Sequence, residues 1–283
     1  MATQDESLLL KRFKNLARLP VRKPPPIGGT PADVIHEENK LHILRYRPRP
    51  KGLAYDTPIL LVPSLINRHY VLDLMPGKSF VEYLVARGHD VYIVDWGTPG
   101  AEDRYLTFDD ICDTYLGRAT RVVARRSARG KAHLLGYCLG GTLTTVFAAR
   151  RQEHVASLLA LAAPVSFGAY GLLEHWVSSP DFDIDALVDA TGNVPWQLMQ
   201  AAFHMLRPTL NLAKLTGVID RAWDEQFLDG FIALETWGND NVSFPGACYR
   251  RYIKELYREN RLVQGTFALG GRAVRLEDIQ CPT

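Results

Sequence analysis

The sequence predicts an α/β protein: a mostly parallel sheet wrapped by helices, with a helical insertion before its last segment. Three observations predict it. Short apolar runs at Pro58–Pro63, Asp90–Val94, Lys131–Leu135 and Val155–Ala162 alternate with helical segments, the rhythm of strand–helix–strand crossovers. Residues 166–240 then carry helical periodicity and no strand signal. The composition is that of a globular chain, with 283 residues, 47% apolar, 23% charged and a net charge of +2, enough for a sizeable core.

The elements follow in order. Residues 5–19 read as a helix with Leu9, Phe13 and Leu16 on one stripe and Lys11, Arg12, Lys14 and Arg18 around it. It is expected to dock on the protein's own body, with a partner or an apolar surface as alternatives. Pro20 and Pro24–Pro26 make a stiff linker into Gly28–Gly29, so 1–30 form an N-terminal helix and linker. His42–Arg47 alternates like a strand, and Ile59–Val62 (ILLV) suits a buried one. Residues 79–87 read as a helix closed by Gly88, and Asp90–Val94 as a strand running into Asp95–Trp96–Gly97. A long helix is expected over 107–128, with Thr107 and Asp110 at capping-box spacing. Strand 131–135, helix 139–151 and strand 155–162, stopped by Pro164, complete a first core part, 31–165. Residues 166–240 form a cap with helices at 183–190, 194–206, 209–215 and 221–236; such insertions build lids that exclude water from a site. Residues 241–283 return to the core through a regular amphipathic helix at 246–260, a Gly270–Gly271 turn and the lead-in Leu276–Pro282.

Several function classes are excluded. A net charge of +2 gives no case for nucleic acid. The cysteines at 112, 138, 248 and 281 form no C-x-x-C pair, against a zinc ribbon or thioredoxin-type site, and no metal site is expected. They are too sparse for a disulfide scaffold; Cys112, Cys248 and Cys281 are expected as buried free thiols in a reducing cytoplasm. No apolar run approaches the ~20 residues of a membrane-spanning helix. Leu8–Leu10 is followed at once by Lys11 and Arg12, unlike a secretion signal.

One constellation carries chemistry. Gly136–Tyr137–Cys138–Leu139–Gly140–Gly141 lies between a strand and a helix, the G-x-S-x-G nucleophile elbow with cysteine for serine. The strained turn needs small neighbours at −2 and +2, which Gly136 and Gly140 supply. The helix N-terminus is expected to favour a thiolate at Cys138. The Leu139 N–H can hold an oxyanion, and a second donor should come from the loop Pro63–Asn67: Leu65, with Ile66 as the alternative. A buried cysteine in a tight turn explains the glycines but not the order of strands around them. Cysteine at this position leans towards acyl transfer, because a cysteine thioester made from a coenzyme A thioester is close to isoenergetic and the acyl group can be passed on.

GYCLGG (136–141), in this α/β-hydrolase order, resembles the elbows of two families, the dienelactone hydrolases and the polyhydroxyalkanoate synthases. LLVPSLINRHYVLDLMPGKSFVEYLVARGHDVYIVDWGTP (60–99), GNVPWQLMQAAFHMLRP (192–208) and ALETWGNDNVSFPGACYRRYIKELYRENRLVQG (233–265) resemble the synthases. The likeness runs from about 40 to 283, whereas dienelactone hydrolases are smaller and have no comparable cap. The short stretch before the first strand resembles the two-subunit synthase type. The resemblance implies an α/β-hydrolase fold with a helical cap and transfer of 3-hydroxyacyl groups from coenzyme A to a growing polyester. Cys138 would be the acylated nucleophile, and no cofactor is implied beyond the coenzyme A thioester as substrate. The implied partners are 3-hydroxyacyl-coenzyme A, the polyester chain, a second non-catalytic subunit and further copies of the chain, in the cytoplasm at a polymer-granule surface. Asp95 and Trp96 match the family's D-W-G turn and read as scaffold. Trp237 reads as lining the cap–core cleft or as an ordinary core residue.

In this fold an acid and a histidine follow the nucleophile along the chain. His154, His175 and His204 follow Cys138; each reads as structural, His204 as a packing residue. The family places its Asp and His after two further strands, and the sequence stops at Ile279–Thr283, so neither is carried over. The last strands are expected to be missing because the sequence is a fragment of a longer synthase, with a truncated, poorly active protein as the alternative. Two other readings stand beside the synthase: a cysteine hydrolase of the dienelactone type, and an inactive truncated chain that pairs with a synthase or coats granules through residues 5–19.

Overall fold

The computed structural model describes residues 2–168, 172–206 and 208–283. The strands are β1 (Ala32–Glu38), β2 (Leu41–Tyr46), β3 (Ile59–Val62), β4 (Asp73–Met75), β5 (Lys78–Ser79), β6 (Val91–Asp95), β7 (Ala132–Tyr137), β8 (Val155–Leu161), β9 (Ala268–Leu269) and β10 (Arg272–Ala273). The helices are α1 (Ala2–Arg18), α2 (Phe80–Arg87), α3 (Leu116–Ala124), α4 (Leu139–Arg150), α5 (Leu172–Ser178), α6 (Ile184–Thr191), α7 (Trp196–Leu206), α8 (Leu210–Arg221), α9 (Glu225–Asn239) and α10 (Gly246–Arg251). Among the described residues, one sheet runs in the order β1-β2-β6-β3-β7-β8. β1–β2 and β2–β6 are antiparallel, and β6, β3, β7 and β8 are parallel.

The parallel centre is buried on both faces, which is why ILLV and VYIV read as continuous apolar runs. Leu60, Val62, Tyr92, Val94 and Leu134 pack towards Phe108, Leu143 and Phe147. Leu61, Val91, Ile93 and Leu135 pack the other way, on Val81 and Leu84 of α2. Gly88 closes α2 as expected, in the left-handed region with φ 90°, and at the other end Ser79 Oγ accepts the Glu82 N–H at 2.9 Å.

β1 is a strand that the pattern did not signal. It is an edge strand with a bulge between Val34 and His36 and partly exposed residues throughout, so it lacks a clean apolar face. The expected long helix after Thr107 begins with its capping box, Thr107 N–H to Asp110 Oδ2 at 2.9 Å and Asp110 N–H to Thr107 Oγ1 at 3.1 Å. It is π-wound over Asp110–Tyr115 and ends at Ala124, short of 128. The expected regular helix over 246–260 is also corrected: α10 passes into a π-wound segment, Tyr252–Arg258.

The cap is helical, and it includes α5, which the sequence pattern did not separate. α6 and α9 start at aspartate caps, Asp183 Oδ1 to the Ala186 N–H and Asp224 Oδ1 to the Phe227 N–H, each 3.0 Å. A two-residue bridge ties the α6–α7 connection to the segment before α10, Val194 N–H to Phe244 O at 2.8 Å and Phe244 N–H to Val194 O at 3.0 Å. α1 docks on the protein's own cap. Arg12 Nη2 donates to Asp220 O at 2.7 Å, the buried Asn15 Nδ2 to Ala222 O at 2.8 Å, and Arg22 pairs with Asp229 at 2.8 Å. Leu9, Leu10 and Phe13 remain exposed beside it. At the other edge of the sheet, the Leu158 N–H of β8 donates to Pro282 O at 2.9 Å.

Candidate active site

Cys138 stands between the end of β7 and the first turn of α4, with φ 54° and ψ −127°. A non-glycine residue in that region stores about 1–3 kcal/mol of strain and persists only where its surroundings hold it. They do so here. The Cys138 N–H donates to Leu161 O at the end of β8 (3.0 Å), and the Gly141 N–H closes the turn on Cys138 O (2.8 Å). The glycines are required by contact, not by dihedral angle. A Cβ on Gly136 would strike Thr144 Oγ1 and Gly141 Cα; on Gly140, the carbonyl oxygens of Val62 and Pro63; on Gly141, Ala163 Cβ. Gly140 is thus the point where α4 touches the loop that follows β3.

That loop carries the other predicted donors. Leu65 and Ser64 are buried. The Ile66 N–H is turned towards Ser64 Oγ at 3.4 Å, and Ile66 O accepts from the Val242 N–H at 3.2 Å. No described residue accepts from the Leu65 N–H. Trp96 braces the loop, its Nε1 donating to Pro63 O at 3.0 Å; this is the scaffold role expected of the D-W-G turn. Asp95 accepts from the Gly97 N–H at 3.0 Å and lies 3.4 Å from His69 Nδ1. Burial pushes its carboxyl up, but His69 and the Gly97 N–H outweigh burial and hold it below the usual carboxylate range. Sequence reasoning missed this pair because Asp95 ends β6 while His69 opens a separate helical turn, His69–Leu72.

The cap is tied to the same loop. Trp237 Nε1 donates to Arg68 O at 2.9 Å, Arg68 Nε to Asp240 Oδ1 at 3.1 Å, Tyr70 Oη to Asp240 Oδ2 at 2.7 Å, and Asn67 Nδ2 to Asn241 Oδ1 at 2.5 Å. Trp237 is half-buried and bridges cap to core. Beyond Ile66 opens a cavity of about 230 Å³, lined by Val177 of α5, Phe182, Met199 of α7, Tyr252 and Tyr257 among others. A larger cleft of about 380 Å³ at the far end of α4 is polar, and its Arg151 is committed to Asp113 at 2.8 Å.

The histidines after Cys138 are not assembled with it. His154 Nδ1 lies 3.0 Å from Gly130 O. His175 on α5 and His204 on α7 are exposed, so His204 is not the packing residue its apolar neighbours suggested. Cys112 and Cys248 are buried free thiols as expected, whereas Cys281 is only half-buried. Among the described residues, no cluster of three or more His, Cys, Asp or Glu side chains could hold a metal ion.

Burial pushes the Cys138 thiol up from its ordinary value, and the Leu139 N–H offsets this only in part. The expected thiolate at the helix terminus is therefore corrected: desolvation outweighs the single N–H of Leu139. Alkylation of Cys138 by iodoacetamide should accordingly be slower at neutral pH than that of a free cysteine, and should climb about tenfold per pH unit to beyond the ordinary thiol pKa of ~8.5. Folding follows the same shift. The neutral thiol's contribution is present below the unfolded-state value and is lost as pH rises through the raised one. A rate that levels off below pH 8, followed by mass spectrometry of the Cys138 peptide, would contradict this.

Comparison with known proteins agrees with this architecture. Residues 21–84 match the family described as the N-terminus of poly-beta-hydroxybutyrate polymerase (PhaC), and 57–263 match the alpha/beta hydrolase fold family. The chain is 36% identical over 258 residues to the poly(3-hydroxyalkanoate) polymerase subunit PhaC of Haloferax mediterranei, covering 90% of this chain and 52% of that protein. It is 35% identical to the proteins of the same name from Synechocystis sp. and Allochromatium vinosum, covering 90% of this chain and 69% and 72% of theirs. It spans 52% and 58% of the Haloferax mediterranei and Haloarcula marismortui relatives, little more than half their length. Among solved structures it is similar to a hydrolase from Pseudomonas aeruginosa, at 15% identity and a TM-score of 0.42 over 76% of this chain and 74% of that one. With an α/β-hydrolase core, a cysteine elbow, a helical cap and this degree of identity, the chain belongs to the poly(3-hydroxyalkanoate) polymerase PhaC family.

Proposed function

We propose that Cys138 accepts a 3-hydroxyacyl group from a coenzyme A thioester and passes it to the hydroxyl of another 3-hydroxyacyl unit, extending a polyester. The observation that carries this is a thiol, not a hydroxyl, on a strained elbow whose Gly140 packs against the loop after β3. The printed names of the relatives, poly(3-hydroxyalkanoate) polymerase subunits, support the substrate class.

The step balances as follows. Cys138 sulfur attacks the thioester carbonyl, and the oxyanion is held by the Leu139 and Leu65 N–H groups, worth about 3–4 kcal/mol per donor in comparable sites. Collapse breaks the bond to coenzyme A, and the thiol proton leaves with the departing sulfur. In the second half an alcohol oxygen attacks the Cys138 thioester, an ester forms, and the alcohol's proton returns to Cys138. The chemistry uses the coenzyme A thioester as substrate and no further cofactor.

The word "subunit" in the relatives' names supports a second synthase chain as partner. The exposed Leu9, Leu10 and Phe13 of α1 support contact with an apolar granule surface. Among the described residues no helix is long and apolar enough to cross a membrane.

The full-length gene product incubated with 3-hydroxybutyryl-coenzyme A should release coenzyme A and carry the acyl mass on the Cys138 peptide. Turnover of a dienelactone without coenzyme A release from the thioester would replace this reading with the cysteine-hydrolase one.

A further inference from the structure

The helix α1 docks with its polar side inward. An α-helix has about 3.6 residues per turn, so residues three, four and seven apart share a face. Three such faces run along α1. Arg12, Asn15 and Leu16 form the face against the cap: Asn15 is buried, and Arg12 and Leu16 are half-buried. Its hydrogen bonds run from Arg12 and Asn15 to the carbonyls of Asp220 and Ala222. Leu10, Phe13 and Ala17 form the second face, with Leu9 beside Phe13, and this face is in solvent, Leu10 72% and Phe13 78% exposed. Lys11, Lys14 and Arg18 form the third, also exposed. A helix that only braced the cap would turn its apolar stripe towards the core. This one gives Asn15 to the protein and Leu10 and Phe13 to the outside.

The helix that α1 touches carries a stripe of its own. In α8, Leu212, Leu215 and Ile219 stand at i, i+3 and i+7 and are all exposed, while Val218 is buried. Trp223, four residues beyond Ile219 and just past the end of α8, is exposed as well. The carbonyls that hold α1, those of Asp220 and Ala222, lie between Ile219 and Trp223 in the chain. Two helices in contact thus leave two apolar stripes on the surface of the cap, the mark of an interaction site.

Charge indicates what covers them. Residues 7–23 hold six Lys and Arg and no Asp or Glu. Arg12 and Arg22 are committed to the cap, Arg22 to Asp229 at 2.8 Å. Among the described residues, Lys11, Lys14, Arg18 and Lys23 have no partner. An apolar stripe edged by unpaired cations fits a surface with an anionic face and an apolar interior: the leucines sink in and the cations stay among the headgroups. A second copy of the chain fits less well. In a two-fold contact the stripe meets itself, and Lys11, Lys14 and Arg18 meet their own like charges. A neutral polyester would take the leucines and leave the cations without a role.

We infer that α1 and α8 together dock the protein on an anionic lipid surface, with Leu10, Phe13, Leu215 and Ile219 below the headgroups and Lys11, Lys14 and Arg18 against lipid phosphates. This rests on the surface contact of α1 proposed above, to which it gives a chemistry, and it is independent of the acyl transfer. Because Arg12, Asn15 and Arg22 fasten α1 to the cap, the cap is the part of the protein that meets the lipid.

The experiment is flotation of the full-length gene product with vesicles of phosphatidylcholine alone, or of equal parts phosphatidylcholine and phosphatidylglycerol. Binding to the anionic vesicles should be at least about tenfold tighter, and the difference should vanish as salt is raised. Lys11→Gln, Lys14→Gln and Arg18→Gln combined should weaken anionic binding roughly 100-fold, and Leu10→Ser with Phe13→Ser at least as much. Leu215→Ser with Ile219→Ser, on the other helix, should weaken it as well. All these side chains are exposed, so unchanged thermal melting checks that each variant is folded. Equal binding to the two vesicles, or anionic binding that the α1 variants leave intact, would overturn the inference; binding unmoved by the α8 pair would overturn the shared surface. Binding to polyester particles and to no vesicle would overturn it while leaving the granule contact standing. Self-association abolished by Leu10→Ser with Phe13→Ser, with no vesicle bound, would assign the stripe to a second copy instead. Binding to neither vesicles nor particles would overturn both readings.

Discussion

Cys138→Ser is expected to lower release of coenzyme A from 3-hydroxyacyl thioesters by about 10⁴-fold or more in the full-length gene product, as losses of other covalent nucleophiles do. The physical reason is the site's electrostatics. Among the described residues, the Cys138 thiol is raised by burial and lowered in part by the Leu139 N–H. Such surroundings leave a thiol partly ionisable but give a hydroxyl, far less acidic, nothing to ionise it. The product should change as well. Any acyl group reaching serine sits in an ester that lies downhill from the thioester and is not readily passed to another alcohol. The fold should survive, since serine occupies the same strained turn with the same backbone bonds to Leu161 and Gly141. Coenzyme A release within tenfold of wild type, from a variant that melts normally, would remove Cys138 from the centre of the mechanism.

Gly140→Ala should be the most damaging small substitution in the core. Its Cβ would enter the space of two backbone oxygens, Val62 O and Pro63 O, and backbone at the end of a central strand cannot swing aside as a side chain can. A loss of about 3 kcal/mol is expected, at the top of the usual overpacking range. The loop carrying Leu65 should also be displaced, so that acylation falls further than stability alone accounts for. Gly217→Ala is the matched control. Gly217 lies on α8 with open space where its Cβ would go, and the substitution should be neutral or stabilising by about 0.5–1 kcal/mol. Urea titration of the two variants decides the point; equal midpoints would show that α4 and the β3 loop can part without cost.

How much was legible in the sequence depended on what each feature left in the order of residues. The elbow was plain because steric demand writes itself locally: Gly136, Gly140 and Gly141 each answer a contact that permits no side chain. The parallel strands were plain because burial on both faces leaves unbroken apolar runs. β1 was not, since an edge strand with no buried residue carries no clean alternation. π winding over 110–115 and 252–258 was invisible, because an extra residue in a turn is set by what the flanking rings pack against, such as Phe167 on Tyr252 and Tyr257. The state of the thiol was misjudged for a related reason. A helix N-terminus can be seen in sequence, but the depth at which the fold buries it cannot, and depth decided the sign.

The bonds from Trp237, Asp240, Asn241 and Val242 to residues 66–70 have a mechanical consequence. They make the end of α9 and the β3 loop a single stiff joint, so the cap cannot lift there as a free flap. Displacing it at that corner would drag the backbone next to Leu65 with it. The joint thus turns a loop that would otherwise be free into a part of the cap's own footing, and the backbone around Leu65 inherits the rigidity of α9.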